Sequence, residues 1–238
     1  MKKVPELSPR LAAAASLVPE GARLADIGTD HAYLPVNLLL TGWVKSAVAA
    51  DLREGPLSRA RSTAREYGCE EKMSFRLCDG LSGIGPGEAD TVVIAGMGGE
   101  TIASILSAAI WVKEKDLSVV LQPMSRQPQL RCWLWKNGYV IREEKLACEG
   151  KNLYTIIRAS AGTAQPMTLA QEWAGTQFPG MKAPLRGRYL DLLCRKADRA
   201  LAGMSRACSE EKSERLQELE AVSQGLKEMR EEWRRWQR

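Results

Sequence analysis

Acidic residues and glycines recur where short apolar runs end. Residues 24–35 read Leu-Ala-Asp-Ile-Gly-Thr-Asp-His-Ala-Tyr-Leu-Pro. The apolar approach meets Asp26, then Gly28, then a helix start, which reads as a strand–turn–helix junction. Open α/β sheets bind ligands at the carboxyl ends of their strands, where the strand order reverses. Glycine lets the backbone pass close to a ligand because no Cβ intervenes. The turn lacks a full G-x-G-x-x-G, and Asp30 stands where the second glycine would. A carboxylate there repels a pyrophosphate and suits a cationic ligand. Asp51, twenty-three residues beyond Gly28, ends a second run (46–51), where an acid commonly holds ribose hydroxyls. Asp79 follows a third run, and Gly96-Met97-Gly98-Gly99 follows a fourth.

Acids or glycine clusters at four successive strand ends resemble the S-adenosylmethionine (SAM) methyltransferase superfamily. SAM is a sulfonium cation with a zwitterionic tail, so carboxylates suit its hydroxyls, its amines and its charge. The likeness narrows further. The block 26–35, Ala95-Gly96-Met97-Gly98-Gly99, Leu121-Gln122-Pro123, and Glu149-Gly150-Lys151 closely followed by Tyr154 occur in this order. Together they are similar to the bacterial tRNA (adenine-22-N1)-methyltransferase family over roughly residues 7–160. The resemblance implies SAM as cofactor and tRNA as partner. It implies a cofactor site made of Asp26, Gly28, Asp51 with Leu52, Asp79 with Gly80, and Gly96 with Met97. It places Gly98, Gly99, Gln122, Pro123 and Lys151 on the substrate side. Family members often carry Asn after Gln-Pro; Met124 stands there, so no polar substrate contact is assigned to it.

Adenine N1 is unprotonated at neutral pH, so its attack on a sulfonium methyl needs no strong general base. It needs alignment and stabilisation of the positive charge formed on the ring. Asp30 suits that role by accepting from the exocyclic amine; its plain alternative is a helix N-cap. His31, the only histidine, is either a second site residue or a hydrogen-bond partner in the turn, and alone it makes no metal site. Tyr154 stacks on a flipped base or packs in the core. The Asn/Asp-Pro-Pro-aromatic sequence of many amino-group methyltransferases is absent after the fourth strand, which favours a ring-nitrogen target. The rival readings are a methyltransferase acting on another nucleobase or a small molecule, and a catalytically silent SAM- or RNA-binding protein.

The bulk properties agree. The 238 residues are 45% hydrophobic and 26% charged, with a net charge of +5. Residues 182–238 hold 14 Lys/Arg against 10 Asp/Glu, while the rest holds 20 against 19, so most of the positive excess lies in the tail. Six cysteines form no C-x-x-C pair, which speaks against a metal site and reads as reduced intracellular thiols. No apolar run reaches the roughly 18 residues of a membrane span, and no secretory leader is evident. A cytoplasmic protein is expected.

The elements that must position these residues alternate. Helices are expected at 7–17, 32–41, 56–67, 99–112 and 127–137. Strands are expected at 22–26, 46–50, 73–78, 90–95 and 117–121, with a closing antiparallel pair at 139–146 and 153–159. The pattern predicts an α/β, Rossmann-like, doubly wound and mostly parallel seven-stranded sheet. Residues 1–160 are expected to form the catalytic domain. The Gly- and Pro-rich stretch 161–184 reads as a linker. Residues 185–238 read as an antiparallel coiled-coil hairpin that breaks near 207–209, with Ser209 as a cap. Its Arg186, Arg188 and Arg195 are candidate contacts to RNA phosphates, the alternative being an oligomerisation hairpin.

Overall fold

The computed structural model describes residues 4–204 and 210–237. The expected break and the Ser209 cap lie outside the described residues. Helix α1 (Pro9–Ala15) starts as its sequence dictates: Ser8 accepts from the Leu11 amide, and Pro9 occupies a first-turn position where its missing N–H is harmless. Then follow β1 (Ala22–Ile27), α2 (Tyr33–Leu40), β2 (Val44–Asp51), α3 (Glu54–Tyr67), β3 (Met73–Leu77) and β4 (Thr91–Gly98). The chain continues through α4 (Gly99–Ala108), α5 (Trp111–Glu114), β5 (Ser118–Ser125), α6 (Gln127–Lys136), β6 (Tyr139–Glu149) and β7 (Asn152–Ala161). It ends with α7 (Leu169–Ala174), α8 (Arg186–Met204) and α9 (Glu210–Trp236).

The sheet runs β3-β2-β1-β4-β5-β7-β6. The first five strands are parallel, and β7 pairs antiparallel with both β5 and β6. The order reverses between β1 and β4, so a crevice opens at the carboxyl ends of those strands. Val92, Val93 and Ile94 of the central strand are fully buried, because helices cover both faces of the sheet. One core lies between the sheet and α1–α3, and the other lies between the sheet and α4–α6.

Two expectations about elements change. The helix read over 99–112 divides into α4 and α5 around Ala109 and Ile110. The stretch read as a linker holds α7, which starts with a capping box between Thr168 and Gln171. Ala170 and Ala174 of α7 pack into a third core with Leu190, Ala197 and Leu226 of the tail. Helices α8 and α9 pair along their length. Asp198 meets Ser223 and Lys227, and Asp191 meets Arg230 and Arg234, so the two run antiparallel.

Two buried arginines seat this tail on the sheet. Arg131 of α6 is fully buried and donates to Glu144 at 2.7 Å and to the carbonyls of Glu172 and Trp173 at the end of α7. Burial works against its charge, but the Glu144 carboxylate overrides this and raises the guanidinium pKa. Arg186 is only 2% exposed and donates to the carbonyls of Ala174 and Gly175. This corrects the reading of Arg186 as an RNA contact. It counts among the basic residues of the tail, but the open carbonyls at the end of α7 draw it inward.

Candidate functional site

The crevice begins where β1 ends. The amides of Gly28 and Thr29 both donate to the Ala50 carbonyl, at 2.8 and 3.1 Å, which pins the turn onto β2. Gly28 has φ +75°, and a Cβ there would collide with Met97 Cε. The left-handed backbone favours glycine here, whereas the Met97 methyl, at the end of a flexible side chain, could move aside. Asp26 is 8% exposed, and burial pushes its carboxyl up to about 6. The nearby Thr29 hydroxyl opposes that rise, while the Asp51 carboxylate adds to it. That hydroxyl is buried and makes no hydrogen bond of good geometry among the described residues. A buried carboxyl whose ionised form a cationic partner would stabilise, with a buried hydroxyl beside it, makes a pocket suited to a ligand's cationic group.

The neighbouring strand ends supply the other acids. Asp51 closes β2, and its Oδ1 accepts from the Arg53 amide at 2.8 Å, which fixes the carboxylate's direction. Leu52 beside it is an exposed apolar residue. Asp79 and Gly80 line a cleft of about 360 Å³ with Leu81, Ile84 and Ile105. An apolar slot edged by a carboxylate is a fit for a purine ring and its amine. Gly28, Asp51 and Asp79 thus follow one another along the edge in the order β1, β2, β3, a track on which a nucleoside with a charged tail can lie.

A second cleft of about 350 Å³ opens at Gly28 itself. Asp26, Gly28, Asp30, His31, Tyr33 and Gly96 all line it, and Arg10 enters it from α1. Asp30 does not cap α2. The N-cap position belongs to Ala32, which makes no side-chain cap, so the structure leaves Asp30 free of that duty. Its side chain is 62% exposed and pairs with Arg59 of α3, whose Nε lies 3.0 Å from Oδ1. His31 Nε2 stands 3.7 Å from the other carboxylate oxygen. An exposed ion pair contributes little stability, about 0–1 kcal/mol, so what Arg59 supplies is position.

Arg10 ties α1 to residues of three strands. Its Nη1 donates to Gln122 Oε1 at 2.6 Å, its amide donates to Glu149 Oε1 at 2.8 Å, and its guanidinium lies 5.8 Å from the Tyr154 ring centroid. Hydrogen bonds from Ser8 and from the Arg10 amide, together with the charge of Arg10, hold the Glu149 carboxyl below its ordinary pKa. Gln122 Oε1 also accepts from the Gly96 amide at 3.0 Å, while its Nε2 donates to the Pro123 carbonyl.

This geometry revises the substrate side of the reading. Gln122 is 0% exposed and Pro123 is buried, so neither touches an RNA in this conformation. Gln122 instead holds the backbone of Gly96 and is itself held by Arg10, which carries no local sequence signal for that role. Gly99 is buried, and a Cβ on it would stand 2.5 Å from the Arg126 carbonyl, so packing alone explains that glycine. Gly98 lies one residue before α4, next to Ser125. Lys151 is exposed at the β6–β7 turn. Arg188 is exposed too, but it donates to the Lys151 carbonyl at 3.3 Å and to Cys148 Sγ at 3.1 Å, so it braces that turn. Arg195 lines an open groove with Lys196 and Arg199. No group of three or more His, Cys, Asp or Glu that could hold a metal occurs among the described residues. Nor does any helix there have the length and apolarity to cross a membrane.

Comparison with known proteins bears directly on this cleft. Residues 7–157 match a family model described as a methyltransferase domain. The solved structure of the Bacillus subtilis m1A22 tRNA methyltransferase superposes with a TM-score of 0.84 at 31% identity, covering 96% of this chain and 100% of that one. The chain belongs to the tRNA (adenine-22-N1)-methyltransferase family. A curated relative from Bacillus subtilis strain 168, the tRNA (adenine(22)-N(1))-methyltransferase, is 39% identical over 157 residues. That alignment spans 66% of each chain, just under two thirds. A Streptococcus pneumoniae protein solved in complex with S-adenosyl-L-methionine superposes with a TM-score of 0.78 at 30% identity, covering 92% of this chain and all of that one. The matched domain ends just before the close of β7, while the superpositions extend through most of the tail. The tail helices therefore belong to the family's common architecture.

Proposed function

We propose that this protein is a SAM-dependent methyltransferase that forms N1-methyladenosine at adenine 22 of tRNA. The observation that carries the reading is the junction at Gly28. A track of acids suited to SAM runs from it along the strand ends, and a cleft edged by the exposed Asp30 carboxylate opens beside it, sharing Asp26 and Thr29. The whole-chain likeness to an m1A22 enzyme supports the substrate.

The residues fit the cofactor. Asp26 and Thr29 would hold its aminoacyl end at the Gly28 turn, Asp51 would accept from the ribose hydroxyls, and the Asp79–Gly80 slot would take the adenine. SAM supplies an electrophilic methyl group on a sulfonium. What the chain itself must do is align and stabilise. Met97 Cε stands over Gly28, and Gly28 lines the second cleft together with Asp26 and Thr29, so an acceptor nitrogen bound there lies beside the aminoacyl end of SAM. Asp30 accepts from the exocyclic amine of the target adenine and offsets the charge that develops on the ring, an electrostatic contribution. Arg59 and His31 orient Asp30. Arg10 and Gln122 keep the Gly96 backbone in place beside the acceptor.

The target base must first leave its stack and any pairing, which costs a few kcal/mol. Basic residues of the tail offset this through phosphate contacts. In this reading residues 1–160 form the catalytic domain and 185–238 an antiparallel coiled-coil arm, with Arg195, Lys196 and Arg199 facing the RNA. A cytoplasmic location follows from the two substrates. The test is nucleoside mass spectrometry of an unmodified tRNA carrying A22, incubated with protein and SAM. Formation of 1-methyladenosine, lost when A22 is replaced by G, supports reaction, atom and site together. No methylation of any tRNA, with SAM binding intact, sends the reading to another substrate.

A further inference from the structure

Ala32 adopts the left-handed helical conformation, with φ 54° and ψ 23°. For a residue with a Cβ this costs roughly 1–2 kcal/mol. Ala32 is almost wholly buried, so the surrounding packing enforces the strain. Its consequence lies on either side of it. The rings of His31 and Tyr33 are brought parallel, 4° between planes, with centroids 5.3 Å apart. That is the offset-stacked range for aromatic pairs. Both rings line the cleft that holds Asp30, and Tyr33 is 41% exposed. A large, open aromatic face on a strained backbone beside the proposed catalytic carboxylate is not explained by core packing.

Stacking on a flipped base is one of the two readings of Tyr154, the other being a place in the core. Its ring already faces the Arg10 guanidinium, and it is only partly exposed. Tyr33 has the free surface. We propose that Tyr33, backed by the His31 ring, is the platform on which the target adenine stacks, with its Watson–Crick edge turned toward Asp30 and Gly28. The inference rests on the methyltransferase reading above and adds to it the residue that positions the base. A stacked purine keeps its edge atoms free, so the amine can reach the Asp30 carboxylate while N1 stays open to the methyl group. Stacking is also indifferent to the hydroxyl of Tyr33, which separates this role from a hydrogen-bonding one.

The test uses the full-length protein, SAM, and tRNA with either adenine or 2-aminopurine at position 22. Tyr33→Leu is expected to lower kcat/KM for tRNA by roughly 5- to 150-fold, the range for losing one base–aromatic stack, with SAM affinity unchanged. Tyr33→Phe and Tyr33→Trp are expected to stay within a few-fold of wild type. Bound 2-aminopurine is expected to be dim with wild type and brighter with Tyr33→Leu, because its stacking partner is gone. A Tyr33→Leu protein equal to wild type in both rate and fluorescence overturns the inference. So does loss of activity in Tyr33→Trp and Tyr33→Phe alongside Tyr33→Leu. A wild type that methylates no tRNA overturns both this inference and the reading beneath it, whereas an active wild type with an indifferent Tyr33→Leu overturns this inference alone.

Discussion

Asp26 should set a pH signature on the stability of the ligand-free protein. Its carboxyl is raised from 3.8 to about 6, chiefly by burial. The gap of about two pKa units corresponds to about 3 kcal/mol. The sign follows from proton counting. Between pH 4 and 6 the folded chain keeps a proton on Asp26 that the unfolded chain has lost. Stability must therefore fall as pH rises through that window, by 2.303RT per proton per pH unit. Well below pH 4 both states are protonated and the penalty vanishes; above pH 7 it is complete. Asp26→Asn removes the ionisation and keeps the shape. Relative to wild type, the variant should gain about 2–3 kcal/mol on moving from pH 4 to pH 7.5. Melting temperature should shift by about 5–10 °C at this chain length. Urea denaturation of both proteins at the two pH values gives the difference directly, and titrations common to both cancel. A variant-minus-wild-type difference that does not change with pH would refute the argument, since an unshifted Asp26 contributes no such slope.

Four further outcomes are expected. Asp51→Ala should weaken SAM binding by about 10- to 150-fold, the cost of losing charge-assisted hydrogen bonds to ribose; unchanged affinity by calorimetry removes the ribose assignment. Asp30→Asn keeps the shape but not the charge. It should leave SAM affinity intact and lower single-turnover methylation by about a hundredfold, and full activity would leave Asp30 only a structural role. Arg131→Met strands the Glu144 carboxylate and the carbonyls of Glu172 and Trp173. Breaking a buried pair from one side costs about 3–5 kcal/mol, so thermal unfolding should move down by about 6–20 °C, and an unchanged melt would show that the pair does not seat the tail. Charge reversal of Arg195 and Arg199 together should weaken tRNA binding and flatten its log–log salt dependence by roughly 2. A wild-type salt slope would take the RNA off that groove.

The parts of this chain that can be read in sequence are those whose signal is local. The continuous run Val92-Val93-Ile94 marks a central strand because both faces of the sheet are covered. The antiparallel close of β6 and β7 follows from a connection too short for a crossover. The acids at the ends of β1, β2 and β3 sit where strand ends in such sheets always point. Helix α7 escaped notice amid glycines and prolines, although Thr168 and Gln171 carry a capping-box spacing that announces it. The arginines escaped for a different reason. Arg10 meets Gln122 and Glu149, 112 and 139 residues away, and Arg59 meets Asp30 across two elements. A long side chain on a polar helix face looks solvated until the partner's position is known. Arg186 shows the same ambiguity in reverse, since an arginine that appears free is held by carbonyls of a helix that was not foreseen.

These contacts change how the tail should be tested. Arg188 on α8 braces Cys148 and Lys151, Glu149 between them holds the α1 amide of Arg10, and the Arg10 side chain reaches Gln122, which fixes Gly96. The turn between β6 and β7 is thus gripped from the tail on one side and from the cleft on the other. Removing residues 185–238 would release that grip. It would also uncover Leu146, Leu153 and Ala170, which pack against the tail. A truncated protein that lost methylation would therefore say nothing about whether the tail binds RNA, because the cleft itself would be disturbed. Charge reversal at Arg195 and Arg199, sparing Lys196 because its ammonium lies 5.7 Å from the Trp173 ring centroid, leaves every one of those contacts in place, which is why it, and not deletion, separates an RNA arm from a structural brace.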